Sequence, residues 1–122
     1  MSYVAMWVLA LLLTLAIEVP LVVVLTGSPL GDFQGSQSAM PRRKVACFAA
    51  AAQLMTHPAV WFLFPLIPWM SRGTSFALSE LWAWTAEATL YALTAVAPST
   101  LSAVAISALT NGASLAIGFL VF

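Results

Sequence analysis

Charge is what this sequence has least of. Of its 122 residues only 7% are Asp, Glu, Lys or Arg, four of each sign, and the net charge is zero. A soluble domain carries about 25%. So sparse a set provides no basic stripe for nucleic acid and no charged patch for an oppositely charged surface. The single cysteine, Cys47, excludes an internal disulfide. It stands among alanines, where a small filler between helices is its expected role. The single histidine, His57, excludes the paired-histidine zinc motif of metalloproteases. Phosphate-binding glycine loops and zinc-finger spacings are missing, and no serine has a recognisable histidine context, so an enzyme is the least favoured class. Nothing basic precedes Arg42. The apolar run that begins at Tyr3 therefore lacks the basic start of a secretory signal, and it is expected to be retained.

What fills the chain is hydrocarbon: 62% of residues are hydrophobic and the mean hydropathy is +1.01. A chain this short cannot hide that much apolar surface in its own core, so the surplus is expected to face lipid. About 20 residues cross the ~30 Å hydrocarbon layer, and four stretches qualify, at 3–25, 45–70, 76–96 and 99–122. Backbone amides in hydrocarbon must be satisfied within their own segment, which makes these helices. The alternation of a membrane barrel is missing. The expectation is an all-α polytopic membrane protein, with four transmembrane helices in one compact bundle over 1–122. The 26–44 connection reads as a polar loop with Pro29 and Pro41, ending in Arg42-Arg43-Lys44. The 71–75 connection carries Arg72, and Ser99 or Thr100 can cap the last helix. No internal repeat is evident. With three of the four basic residues at 42–44, the positive-inside rule puts loop 26–44 in the cytoplasm and both termini outside. Tyr3, Trp7, Trp61 and Trp69 then lie on the outer side, Trp69 as an interfacial anchor.

Ionisable groups inside a span are costly, about 2.5–3.5 kcal/mol at the centre, and point to function. This chain has Glu18, His57, Glu80 and Glu87, and Asn111 adds a neutral amide. Counted from the ends of each span, Glu18, His57, Glu87 and Asn111 fall near one depth, one on each helix, with Glu80 about two turns outward of Glu87. Glu80, Glu87 and Tyr91 form one helical stripe, with Trp84 on the same side. Ser107, Asn111, Ser114 and Gly118 form another, small and polar. Gln53 and His57 are one turn apart. Pro20 and Pro58 sit beside the charged residues, and each releases a carbonyl four residues back, on Ala16 and Leu54, so both are expected helix kinks. Pro65 and Pro68 read as ordinary membrane-helix prolines.

Several readings stay open. Glu18, His57, Glu80, Glu87 and Asn111 can form a binding site or proton relay, with Gln53, Thr56, Tyr91, Ser107 and Ser114 hydrogen-bonding to them. Imidazole titrates near neutrality, as a relay requires. Carboxylate and imidazole are also compatible with a divalent cation such as Zn or Mn, held at Glu18, His57 and Glu87. The alternative is a polar knot that only fixes helix packing in an accessory or assembly subunit of a larger membrane complex. Four helices make a thin wall for a transport path, so a homo-oligomer or larger complex in the lipid bilayer is expected. The small face at Ser107 and Gly118 is one contact for it.

The pattern Glu18-x-Pro20, Gln53-x-x-Thr56-His57-Pro58, Glu80, Glu87 and Tyr91, then Ser107, Asn111 and Ser114, resembles that of a family of short bacterial four-helix membrane proteins, over nearly the whole chain. Gln53 stands where that family has Asn, and no basic residue follows Tyr91. The resemblance implies a bacterial inner-membrane location and brings no activity with it.

Overall fold

The computed structural model of the protein describes residues 1–28 and 40–121, so most of the expected 26–44 loop lies outside the described residues. Among these residues the chain is all helical, with no strand. Helix α1 spans Tyr3–Thr26, capped by Ser2, whose side chain accepts from the Ala5 amide at 3.2 Å. Helix α2 spans Arg42–Pro58 and continues as a π-helical turn, Ala59–Leu63, and a 3₁₀ turn, Phe64–Leu66. Helix α3 spans Arg72–Leu93 and α4 spans Thr100–Val121.

The helix ends differ from the hydropathy boundaries for local reasons. Helix α2 begins three residues before the expected 45, because the Pro41 carbonyl accepts from the amides of Lys44 and Val45 and closes the first turn over the basic residues. Arg and Lys are good helix formers, and their charge sets membrane depth rather than helicity. The same helix stops at Leu66 instead of 70. Pro68 forces the residue before it out of the helical region, and Ile67 is extended, with φ −77° and ψ 105°. Helix α3 starts at Arg72 rather than 76, since Ser71 accepts from the Thr74 amide at 3.1 Å and so caps it there. Ser99 caps α4 through the Ser102 amide at 3.1 Å.

Of the two proline kinks expected, Pro58 marks the passage from α to π geometry. There the Phe64 amide reaches back five residues to the Ala59 carbonyl. Pro20 lies inside α1, which runs on as an α-helix to Thr26.

Consecutive helices are antiparallel neighbours, and α4 closes the ring on α1, so α1 faces α3 and α2 faces α4 across the axis. The exterior is apolar: Leu9, Leu12, Val24, Leu54, Met55, Leu81, Leu101, Val104 and Leu109 are exposed. Cys47 is exposed as well, so it does not fill a gap between helices. Three helical stretches, Tyr3–Thr26, Arg42–Leu66 and Thr100–Val121, are long and apolar enough to cross a membrane. Helix α3, with Arg72, Glu80, Glu87 and its serines and threonines, is not among them, although it packs between α2 and α4.

The two ends of the bundle are unlike. Around the end of α1, the start of α2, the end of α3 and the start of α4, Val22, Val45, Ala49, Ala52, Tyr91, Val96, Ala97, Ala103 and Ile106 form a closed core. The opposite end is held by aromatic contacts. The Tyr3 hydroxyl donates to the Trp61 carbonyl at 2.5 Å, and Trp7 meets Phe62 edge-on at 5.2 Å. Trp69, 84% exposed, projects from the turn after α2 at that end, as an interfacial anchor would.

The α3–α4 turn contains the one strained residue of the described backbone, Ala95, at φ 56°. A left-handed conformation costs a residue with a Cβ about 1–2 kcal/mol, and glycine much less. The Ala95 side chain is exposed, so Ala95→Gly is expected to stabilise the protein by about 1 kcal/mol. A higher thermal unfolding midpoint in detergent checks this.

Candidate functional site

The up-down alternation brings four polar positions to one layer. Glu18 and Glu87 each lie fifteen residues beyond the first residue of α1 and α3. Gln53 and Asn111 each lie eleven residues beyond the first residue of α2 and α4, counting from the other end. At 1.5 Å per residue these counts bring all four groups to within about one helical turn of each other in a ~33 Å bundle, and their hydrogen bonds close the remaining difference. The diagonal pair α1 and α3 therefore supplies two carboxyl groups, and α2 and α4 supply two amides. Three residues beyond each amide stands a hydroxyl, Thr56 or Ser114. Although no repeat is evident in the sequence, the α1–α2 and α3–α4 hairpins carry matching functional positions.

The hydrogen bonds follow from this placement. Gln53 Nε2 donates to Glu18 Oε2 and, at 2.9 Å, to Glu87 Oε1, so one amide nitrogen bridges both carboxyl groups. Asn111 Nδ2 donates to Glu87 Oε2 at 2.6 Å and to the Ser107 carbonyl of its own helix at 3.0 Å. The hydroxyls cross between hairpins: Thr56 Oγ1 donates to Glu87 Oε1 at 3.1 Å, and Ser114 Oγ donates to Glu18 Oε1. Glu87 is 0% exposed and Glu18 is 1% exposed, so water does not solvate either. Every donor is neutral, and no Lys or Arg reaches the pair among the described residues.

Above this layer a cavity of about 570 Å³ runs to the end of the bundle formed by the start of α1, the 67–72 turn and the end of α4. Glu18, Gln53, Thr56, Glu87, Asn111 and Ser114 form its floor, and the closed core lies below them. His57 and Glu80 stand on the walls. Each helix, including the π-turn extension of α2, adds one aromatic ring near the mouth: Tyr3, Trp61, Phe76 and Phe119. Tyr3 and Trp61 are 5.5 Å apart between ring centres, and Phe76 and Phe119 are 6.0 Å apart. Among the described residues Arg72 is the one cation in the lining.

Glu18, Glu87, Asn111, Gln53, Thr56 and Ser114 thus come together, with Ser107 joined to them through Asn111 Nδ2, which donates to its carbonyl at 3.0 Å and lies 3.4 Å from its hydroxyl, and other expected members do not. His57 makes no hydrogen bond to either glutamate. Its ring stacks on Trp61 at 6.1 Å and 19°, and its Nδ1 is buried without a partner. Gln53, one turn deeper, takes the position at the layer. Glu80 faces the cavity without joining the network. Tyr91, expected to hydrogen-bond to the cluster, lies in the closed core with its hydroxyl unpartnered. Ser107 and Gly118 do not form an outward contact: Ser107 is buried and donates to the Trp84 carbonyl on α3 at 2.9 Å, and Gly118 lines the cavity. Trp84 turns away from the cavity, into a shallow groove between α3 and α4.

Nor is the divalent site expected at Glu18, His57 and Glu87 assembled. Among the described residues no three His, Cys, Asp or Glu side chains gather as metal ligands. The carboxyl oxygens meet N–H and O–H donors, which present hydrogens where a metal needs lone pairs. Cavity residues missed from the sequence include Ser75 and Ser79. The i, i+4 series Ser75, Ser79, Ala83, Glu87 is a small-residue stripe that would have marked the cavity face of α3.

Compared with protein-family models, curated proteins and solved structures, the chain matches none.

The shared Gln53 amide yields a measurable ordering. Gln53→Leu leaves both buried carboxyl groups short of a donor and is expected to destabilise the protein by about 2–4 kcal/mol. Ser114→Ala removes one donor from one of them and is expected to cost about 1 kcal/mol. Thermal unfolding of the two variants in detergent checks the order.

Proposed function

We propose that this chain is a four-span integral membrane protein in which the Glu18–Glu87 pair takes up and releases a proton through the cavity, as part of proton-linked transport or binding. One observation carries the reading: two carboxyl groups share a single amide donor at the closed end of an open cavity, with no basic side chain to neutralise them. Two like charges so close and so dry are incompatible, which favours a pair that holds a proton. Such a pair exchanges that proton with the side on which the cavity opens.

Helix α3 completes the bundle as the fourth span: Ser75, Ser79 and Glu87 turn inward, shielded by its packing between α2 and α4, while the outward Thr85 and Thr89 satisfy their hydroxyls on carbonyls of their own helix. The first turn of α2, with Arg42, Arg43 and Lys44, belongs in the cytoplasm by the positive-inside rule. The cavity then opens outward. The family resemblance supports the bacterial inner membrane as the location.

The test is infrared difference spectroscopy of protein reconstituted in liposomes, between acid and alkaline pH. A protonated-carboxyl C=O band that is lost on raising the pH, and that is missing from helical Glu18→Gln/Glu87→Gln protein, is the expected outcome. A band unchanged over the whole range would refute proton exchange. It would favour the second reading, a structural knot in an accessory subunit, which a donor on each of the four carboxyl oxygens also suits. In that case Glu87→Gln leaves the protein fully active in cells lacking the native copy.

A further inference from the structure

The cavity is larger and more apolar than a proton path requires. At about 570 Å³ it has the volume of a small-molecule site, which falls at about 300–1,000 Å³. Most of its wall is aliphatic or aromatic, interrupted by Thr14, His57, Ser75, Ser79 and Glu80, whereas the floor is polar throughout. A second observation points the same way: His57, only 9% exposed, forms part of the wall, and its buried Nδ1 has no hydrogen-bond partner.

The floor decides what sort of molecule fits. An ionised carboxylate has about four acceptor positions, whereas Glu18 receives two donors and Glu87 three. Acceptor capacity therefore remains on both, and with Glu18 1% and Glu87 0% exposed it is open only to a group that moves in among the floor donors. A metal would have to displace Gln53, Asn111 and the hydroxyls. A protonated amine adds its N–H groups to the same pattern, and its charge replaces the missing counter-ion. The rings at the mouth attract a cation on its way in and pack against an apolar body once it is seated. Arg72 at the rim opposes entry, but it is exposed to solvent, whereas Glu80 stands within the cavity above the pair.

We propose that the cavity binds a lipophilic amine in its protonated form, with the apolar body between the aromatic rings and the ammonium against Glu18 and Glu87. The assignment rests on the carboxyl pair being able to give up its proton. It names the class of molecule that takes the proton's place.

The experiment compares two probes of nearly equal shape on the detergent-purified full chain by isothermal titration calorimetry: 1-naphthylmethylamine and the neutral alcohol 1-naphthylmethanol. The parent should bind the amine saturably and about tenfold or more tightly than the alcohol, the scale of a charge-assisted hydrogen bond. In Glu18→Gln/Glu87→Gln that preference should vanish while residual binding of the alcohol persists. Trp61→Ala should weaken both probes alike. Equal binding of amine and alcohol to the parent, no binding of either, or an amine preference that survives the double substitution would each overturn the proposal. The infrared test stands apart from it: a titrating carboxyl band in protein that does not prefer the amine retains proton exchange and removes only the amine.

Discussion

Two carboxyl groups out of reach of water, with no cation beside them, are the constraint around which the remainder of the bundle is arranged. Left alone they would repel each other and forfeit their solvation, an expense of several kcal/mol per ion. The protein meets this with neutral donors drawn from the two helices that lack a carboxyl group. That division of labour requires α1 and α3 to be diagonal, α2 and α4 to lie between them, and all four to present one height to the axis. The Gln53 bridge goes further. Because one nitrogen serves both carboxyl groups, a change in the protonation of either is felt by the other through a single side chain. The pair therefore acts as one unit.

Matching positions in the two hairpins are not identical, and the difference has a reason. Asn111 bonds Glu87 and its own helix, whereas Gln53, one methylene longer, spans both carboxyl groups. Glu87 consequently collects three donors and Glu18 two. A site built from two similar hairpins is thereby made asymmetric, with one carboxyl group better solvated by the protein than its partner.

Much of this was legible from residue order. The length and hydropathy of α1 and α4 place them almost to the residue, and the common depth of Glu18, Glu87 and Asn111 follows from counting along antiparallel helices. What escaped has physical causes. Hydropathy measures affinity for lipid and is blind to capping, so Ser71 and Pro41 set helix starts that composition put elsewhere. His57 and Gln53 lie on the same face of α2, and a boundary error of one turn exchanges their roles. Tyr91 continues the stripe of Glu87 one turn further, but that turn crosses from the polar layer into the apolar core. The cavity was out of reach because empty volume depends on how four surfaces meet, which no single helix encodes.

The buried centre of the closed end is made almost wholly of small or β-branched residues, with Tyr91 and Ile106 its largest members, and Leu25, Met40 and Leu90 pack against it. The seal is shared among residues of all four helices. A barrier of that kind has no gate that could swing aside by rotating about one or two side-chain bonds. To admit anything from that side, two helices must part along several turns, and the same movement would pull Gln53 away from one of its carboxyl groups. Opening the sealed end and breaking the bridge above it are thus a single mechanical event.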